Sequence, residues 1–133
     1  MAVACDSGRS RLDLNFCGLH LDAPIVLLSG CVGFGEEYTR IEGFSNRDVG
    51  AVVLKGTTRE PRLGNQPHRV YETPMGMLNA IGLQNPGMDI VVDEILPELD
   101  FTETRFIANV CGSTIEDYEV VTKRFDDSAI DAI

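Results

Sequence analysis

The sequence predicts an α/β fold in which parallel strands alternate with helices. Short apolar runs at 24–28, 51–54 and 106–110 are separated by stretches of helical spacing or by loops. Alternation of this kind is typical of βαβ units and a parallel sheet. It leaves two architectures open, which are part of a (β/α)8 barrel and a small doubly wound sheet. A complete barrel needs roughly 250 residues, so a chain of 133 residues is too short to close one.

The N-terminal region is predicted to form a loose tail followed by a hairpin. Residues 1–10 have no apolar periodicity and are assigned to the tail. Apolar and polar residues alternate over 12–16, and Gly18 then turns the chain towards a second strand. The folded region is therefore predicted to be one domain over residues 11–133.

The first two strands of the sheet are predicted from continuous apolar runs. The run at 24–28 is expected to be buried on both faces, because no polar residue interrupts it. Helical spacing over 36–44 predicts a helix after it. The run at 51–54 predicts a second buried strand, which ends at Lys55. A long loop punctuated by proline and glycine follows as far as residue 85.

The remaining elements are a helix, a strand, a second helix and the beginning of another strand. Pro86 suits a helix start, and the helical stripe continues to about Leu99. Residues 106–110 are predicted to be the third strand. Ser113 and Glu116 have the spacing of a capping box, which predicts a helix running to about Phe125. Residues 129–133 are interpreted as the opening of a fourth strand.

Charge and cysteine usage exclude several classes of function. A formal net charge of −10 argues against nucleic acid or an anionic membrane surface as the main partner. The stretch 55–69 is nevertheless basic, which fits either an anion site or solvated loop charges. The four cysteines form no C-x-x-C pair, and no apolar run approaches the ~20 residues of a membrane span. A cytoplasmic protein with free thiols is expected.

Polar residues follow all three predicted strands. Ser29 and Cys31 follow the first strand, Lys55 follows the second, and Asn109 lies near the end of the third. Ligands of barrels and open α/β sheets bind at the carboxyl ends of strands. These residues together therefore predict a ligand site there, although any one of them alone is more typical of a turn or cap.

Two loops could contribute to that site. The glycine-rich loop 30–35 allows backbone N–H groups to approach a phosphate or a flat ring, and a structural turn is equally plausible. The segment 76–87 mixes small, apolar and amide residues without strand or helix periodicity. Its carboxamides could pair with an imide edge, whereas an Asx-rich turn before a helix is the competing interpretation.

Four segments, taken together and in order, resemble class 1 dihydroorotate dehydrogenases. They are SGCVGFGEEY at 29–38, KGTTREPRLGN at 55–65, NAIGLQNPG at 79–87 and IANVCGS at 107–113. The third segment resembles the NAD-linked 1B subgroup in particular. The resemblance covers roughly residues 12–133 and disfavours a flavin barrel that acts on another pyrimidine.

The resemblance implies the N-terminal part, about half, of a (β/α)8 TIM barrel with a small N-terminal hairpin. It implies FMN-dependent oxidation of dihydroorotate to orotate in pyrimidine and UMP biosynthesis. In the 1B subgroup, a partner subunit with FAD and a 2Fe–2S cluster passes the electrons to NAD, and the complete enzyme is a heterotetramer. The cofactors perform the redox chemistry, while the protein supplies orientation and charge.

The resemblance also implies the roles of individual residues. Those expected at FMN are Gly30, Cys31, Lys55, Gly56 and Asn109. Those expected at the pyrimidine are Lys55, Asn79, Ala80, Ile81, Gly82 and Leu83. The Lys55 ammonium is expected to stabilise negative charge on the reduced flavin.

The catalytic base is where the sequence departs from the family pattern. In the family the base is the cysteine of an Asn-x-Ser-Cys-Pro-Asn segment after the fourth strand, and that segment is expected beyond Ile133. Neither Cys31 nor Cys111 lies in such a motif, so neither inherits the role. The chain alone is therefore expected to be inactive. The alternative is a non-catalytic, truncated product that retains only the ligand-binding loops.

Overall fold

The computed structural model describes residues 12–133, and the predicted loose tail at 1–10 lies outside the described residues. The strands are β1 (Leu14–Phe16), β2 (Leu19–Leu21), β3 (Val26–Leu27), β4 (Ala51–Val53), β5 (Val70–Thr73), β6 (Gly76–Asn79) and β7 (Arg105–Ile107). The helices are α1 (Met88–Ile90), which continues as a π turn (Val91–Ile95) and a 3-10 turn (Leu96–Glu98), and α2 (Ile115–Asp126). Two further 3-10 turns are Tyr38–Arg40 and Asn46–Asp48.

A three-stranded parallel sheet forms the centre of the fold. Its order is β3-β4-β7, so β4 lies between the other two strands. A parallel bridge joins Ile107 to Ala132, and the Ala108 N–H donates to the Ala132 carbonyl at 2.8 Å. The C-terminal residues therefore lie beside β7 in parallel, as the predicted fourth strand requires. The predicted N-terminal hairpin is confirmed as the antiparallel pair β1 and β2.

The first strand of this sheet is less buried than its apolar sequence predicts. β3 has only two residues, both half-buried, while Ile25 is 56% exposed and Leu28 64% exposed. The expectation of burial on both faces was wrong, since the side chains of Ile25 and Leu28 remain open to solvent. β3 is also an edge strand, whose outer side pairs with no strand of residues 12–133. β4 has a partner on each side, and Val52 and Leu54 are fully buried.

The predicted helix at 36–44 is reduced to the 3-10 turn Tyr38–Arg40. Gly35 and Gly43 flank it with φ values of +94° and +84°, a left-handed conformation that an α-helix cannot include. Ile41, which ends the turn, is already extended. The apolar residues of 36–44 therefore have helical spacing in the sequence, but the backbone forms only one 3-10 turn.

The predicted long loop at 56–85 contains a hairpin that the sequence interpretation missed. β5 and β6 pair in antiparallel fashion, with Tyr71 opposite Leu78. Both side chains are exposed, by 71% and 65%. Strand prediction depends on the alternation of apolar and polar residues, which a strand without a buried face lacks. For that reason the sequence predicted no strand at 76–79.

The capping box of α2 lies one residue later than predicted. Thr114, not Ser113, is the N-cap, and its hydroxyl accepts from the Asp117 N–H at 3.1 Å. The Asp117 carboxylate accepts in return from the N–H groups of Ser113 and Thr114, each at 3.0 Å. The chemistry is the one predicted, but Asp117 takes the place assigned to Glu116.

Acid should weaken this cap. Hydrogen bonds from the Ser113 N–H and from Thr114 hold the pKa of Asp117 below its ordinary value of 3.8. A carboxyl with a lowered folded-state pKa stabilises the fold above pH 3.8 and loses that contribution as pH falls through the folded-state value. Asp117→Asn should therefore flatten the dependence of unfolding free energy on pH in that window. Asp126→Asn, at the other end of α2, removes one carboxylate without touching the cap and is the matched control.

The core joins the sheet to both helices. Its fully buried members are the side chains of Val52, Leu54, Val91, Phe106, Val121 and Phe125. Arg124 of α2 also bonds Asp89 at 3.2 Å and Asp93 at 2.6 Å, which ties α2 to the helical segment 88–98. The sheet is consequently packed against both helical segments, which are also joined to each other by ion pairs.

The exposed apolar surface predicts self-association of the 133-residue chain. The edge of β3 and the β5–β6 hairpin both present large apolar side chains to solvent, and unpaired strand edges associate readily. Light scattering over a concentration series should detect oligomers or aggregates. Tyr71→Lys combined with Leu78→Lys should reduce their share. A monodisperse monomer that melts cooperatively would contradict this expectation.

Candidate functional site

The carboxyl ends of the three parallel strands bring the predicted polar residues together. Asn109, after β7, donates from Nδ2 to the Ser29 hydroxyl, after β3, at 2.7 Å. Lys55 follows β4, and its Nζ lies 3.9 Å from the position that a Cβ on Gly30 would occupy. Residues from all three strands therefore meet at one edge of the sheet.

A cavity of about 530 Å³ opens beside this edge. Small-molecule sites in proteins measure roughly 300–1,000 Å³, so the cavity is large enough for a ligand. Lys55 and Arg62 bring positive charge to it and Glu37 negative charge. The other lining residues are Gly30, Gly33, Phe34, Pro61, Leu63, Ile81, Gln84, Asn85 and Pro86.

The glycine-rich loop forms one wall of the cavity and is tied to the sheet. The Lys55 N–H donates to the Gly33 carbonyl at 2.8 Å. The Glu37 carboxylate folds back and accepts from the Phe34 N–H at 3.0 Å. It occupies the space next to Gly33, whose φ is +55° and where a Cβ would collide with it. This wall is therefore preformed.

The amide-rich segment forms the opposite wall. Asn65 holds its backbone, because the Asn65 N–H donates to the Ile81 carbonyl and its side chain to the Ala80 carbonyl, both at 2.9 Å. The Gln84 side chain accepts from Arg69 at 2.5 Å. Ile81 and Gln84 face the cavity in consequence.

Asn85 anchors this wall rather than offering its side chain to a ligand. Its Oδ1 accepts from the N–H groups of Thr58 and Gly87 at 3.1 and 3.0 Å. Its Nδ2 donates to the Leu83 carbonyl and the Thr58 hydroxyl at 2.9 and 3.0 Å. The side chain is 5% exposed, and both of its polar atoms are used within the protein.

Gly56 lies at the point of closest packing under the site. A Cβ there would be 2.9 Å from both the Cys111 Sγ and the Leu83 Cδ1, and 3.5 Å from the Asn109 Nδ2. Any side chain at this position would displace those groups. Leu83 itself has a φ of +55°, a left-handed conformation that is rare outside glycine and is often found at functional sites.

The thiol of Cys111 is not arranged to act as a base. Partial burial raises the pKa of Cys111 above its ordinary value, although the charges of Arg62 and Lys55 oppose the shift. The thiol is a weak donor to the Asn109 Oδ1 at 3.8 Å. A thiol with a raised pKa stays protonated at neutral pH. That Cys111 does not inherit the base role stays a prediction.

The predicted site residues fall into three groups in the structure. Gly30, Lys55 and Ile81 line the cavity, while Gly56, Asn109, Gly82 and Leu83 lie beside these residues. Asn79 is exposed at the end of β6, opposite Val70. Cys31 and Ala80 are exposed and are not among the lining residues.

The sequence interpretation did not assign three residues that matter to the cavity. They are Glu37, Arg62 and Asn85. Arg62 could have been found from the basic stretch 55–69, which the sequence marked as a possible anion site. The bonds of Glu37 to the Phe34 N–H and of Asn85 to the Gly87 N–H are local, whereas that of Asn85 to the Thr58 N–H spans 27 positions. Local spacing could have indicated the first two, and only the fold brings Thr58 to Asn85.

Among residues 12–133, no cluster of three or more His, Cys, Asp or Glu side chains is arranged to hold a metal ion. In the same part of the chain, no helix has both the length and the apolar character that a membrane span requires.

A parallel α/β sheet with a charged cavity at the carboxyl ends of its strands defines a class of proteins that bind ligands at that edge. Within that class, the family model described as "Dihydroorotate dehydrogenase" matches residues 11–133. The chain belongs to the dihydroorotate dehydrogenase family.

Individual relatives agree with this assignment. The chain is 52% identical over 114 residues to the catalytic subunit of dihydroorotate dehydrogenase B (NAD(+)) from Bacillus caldolyticus, covering 86% of this chain and 36% of the relative. It is 49% identical over 125 residues to the same subunit from Listeria innocua, covering 93% and 40%. The chain thus spans little more than a third of the length of these curated relatives.

A solved structure shares the fold. The dihydroorotate dehydrogenase of Eimeria tenella in complex with ferulenol superimposes with a TM-score of 0.60 at 21% identity. The match covers 85% of this chain and 33% of that chain. The predicted α/β class is confirmed, and the fold corresponds to part of a dihydroorotate dehydrogenase.

Proposed function

We propose that this chain carries the flavin and dihydroorotate site of a B-type, NAD-linked dihydroorotate dehydrogenase. The observation that supports it most directly is the cavity at the strand ends, where Lys55 lies between the glycine-rich loop and the amide-rich segment. These are the same loops that predicted the site from the sequence. The proposal includes the (β/α)8 barrel, of which residues 11–133 would be the N-terminal half.

The residues at the strand ends fit a flavin. A Cβ at Gly56 would lie 2.9 Å from Cys111 and Leu83, so only glycine leaves these groups in place beneath the site, and Gly30 approaches Lys55 without a side chain between them. Gly30, Cys31, Lys55, Gly56 and Asn109 would hold FMN, with Cys31 contributing backbone because its side chain is exposed. When bound, FMN would accept the hydride that dihydroorotate loses, and orotate forms once a base has also removed a proton.

The chain's own contribution is binding and charge. The Lys55 ammonium would stabilise negative charge that develops on an electron-rich ring. The segment Asn79–Leu83 would bind the pyrimidine, with Ile81 already in the cavity wall. Proton abstraction is assigned to none of the 133 residues, because no Asn-x-Ser-Cys-Pro-Asn segment occurs among them.

The partner is proposed from the relatives. Their name describes a catalytic subunit of an NAD(+)-type enzyme, which supports a separate electron-transfer subunit. FAD, a 2Fe–2S cluster and a heterotetramer are the form proposed for it, and the cytoplasmic location stays a prediction. A non-catalytic product that keeps only the ligand loops is the competing function, since the same cavity would serve it.

Anaerobic titration of the 133-residue chain with FMN tests the proposal. We expect saturable quenching of flavin fluorescence and no bleaching of the bound flavin when dihydroorotate is added. Gly56→Val should abolish the quenching, because its side chain would fill the space below the site. Gly43→Asn, at an open turn where an added Cβ meets no atom within 4 Å and where asparagine tolerates the left-handed backbone, is the matched control. Absence of saturable FMN binding would contradict the proposal, and bleaching by dihydroorotate would contradict the expected inactivity.

A further inference from the structure

A side-chain hydrogen bond crosses the end of the central strand. β4 separates β3 from β7, yet Asn109 after β7 donates directly to Ser29 after β3 at 2.7 Å. It passes close to Gly56, where a Cβ would lie at an ordinary contact distance of 3.5 Å from the Asn109 Nδ2. The two outer strands are therefore joined above the glycine.

The other edge of the same carboxamide faces a donor. The Cys111 thiol lies 3.8 Å from the Asn109 Oδ1, within reach of a sulfur hydrogen bond. The backbones of both residues are held to Thr57, which follows β4 in the chain, since the Thr57 N–H donates to the Asn109 carbonyl at 2.8 Å and the Cys111 N–H to the Thr57 carbonyl at 2.9 Å. Acceptor and donor thus stand on opposite sides of the amide.

We propose that Ser29 and Cys111 are positioning residues that fix the orientation of the Asn109 carboxamide towards the flavin, an inference that rests on the proposed function. A carboxamide carries two N–H donors and one acceptor. With its oxygen turned to Cys111 and one N–H bonded to Ser29, the second N–H is the group left for a carbonyl on a flat ring. A rotation of half a turn would exchange donor and acceptor and misalign that contact.

The hydrogen bonds that join Ser29, Asn109 and Cys111, called the amide bridge below, can be tested without a cofactor through the reactivity of the Cys111 thiol. An S–H donor bonded to Oδ1 is stabilised as the thiol, and the thiolate is the nucleophile. Ser29→Ala should release the amide, so the pH profile of Cys111 alkylation should shift to lower pH and the rate at neutral pH should rise about threefold. Ser29→Thr keeps the hydroxyl and should restore the original profile. Mass spectrometry of the full chain resolves each cysteine, so the exposed Cys17 and Cys31 serve as internal controls.

FMN titration of the same variants tests the link to the flavin. Ser29→Ala and Cys111→Ala should each weaken FMN binding about fivefold, whereas Ser29→Thr and Cys111→Ser should bind as the unsubstituted chain does. Ser113→Ala, which alters an exposed hydroxyl, is the matched control.

The outcomes separate the inference from the proposed function. An unchanged alkylation profile in Ser29→Ala overturns the amide bridge. A shifted profile with unchanged FMN affinity overturns the positioning role. If the unsubstituted chain binds no FMN, the proposed function fails, and the alkylation profile alone then decides whether Ser29 orients Asn109.

Discussion

Lys55→Ala should weaken the binding of reduced FMN to this chain about tenfold to a hundredfold more than it weakens the binding of oxidised FMN. Two unit charges a few ångströms apart interact by roughly 3–4 kcal/mol near a protein surface, and partial solvent screening reduces that to about 1.4–2.7 kcal/mol. The selective loss arises because reduction adds negative charge to the ring, which the ammonium no longer offsets.

The geometry around Lys55 favours this result. Its side chain is half-buried, its Nζ lies beside Gly30, and its backbone is fixed by the bond to Gly33. The charge therefore lies at the cavity wall, on a side chain that is only partly exposed to solvent. A fixed charge stabilises a developing charge without reorganisation at the moment of reaction.

The midpoint potential of the flavin bound to each variant reports the difference between its affinities for reduced and oxidised FMN. Lys55→Arg retains the charge and should keep most of the potential, although its planar head differs in shape. Lys123→Ala removes a charge from the exposed face of α2 and is the matched control. A potential that Lys55→Ala leaves unchanged would remove Lys55 from the flavin site. In a form of the protein that oxidises dihydroorotate, the same variant should slow flavin reduction severely.

Asn85→Ala should lower the free energy of unfolding by about 2–4 kcal/mol, a large effect for a single polar residue. The substitution leaves the buried N–H groups of Thr58 and Gly87 without their acceptor and the Leu83 carbonyl without its donor. Leaving such groups unpaired costs more than the hydrogen bonds themselves contribute. The cavity wall should loosen in the same variant.

Denaturant unfolding measures this loss as a lower midpoint at unchanged slope. Asn85→Asp keeps an oxygen for both N–H donors and should recover part of the stability. Asn65→Ala, which removes a hydrogen bond from an exposed side chain, should cost less and is the matched control. Equal stability of Asn85→Ala and the unsubstituted chain would show that Asn85 is not the anchor of the amide-rich segment.

Local patterns predicted the elements that bury an apolar face. The run at 51–54 became the central strand and the stripe after Pro86 became the helical segment 88–98, because burial imposes a period on the sequence. The hairpin β5–β6 has no buried face, so its sequence carries no period that predicts strands. The turn at Tyr38–Arg40 shows the opposite error, where helical spacing occurs but left-handed glycines interrupt the backbone.

The sequence by itself determined the α/β class, the polar strand ends and the family resemblance, because short-range spacing and ordered motifs are properties of the chain alone. Only the tertiary structure decided which of these residues meet. The contact of Ser29 with Asn109, 80 positions away, depends on the strand order β3-β4-β7. The anchoring of Thr58 by Asn85 depends on a loop folding back over 27 positions. Such contacts arise from packing between distant segments, and no local pattern in the sequence predicts them.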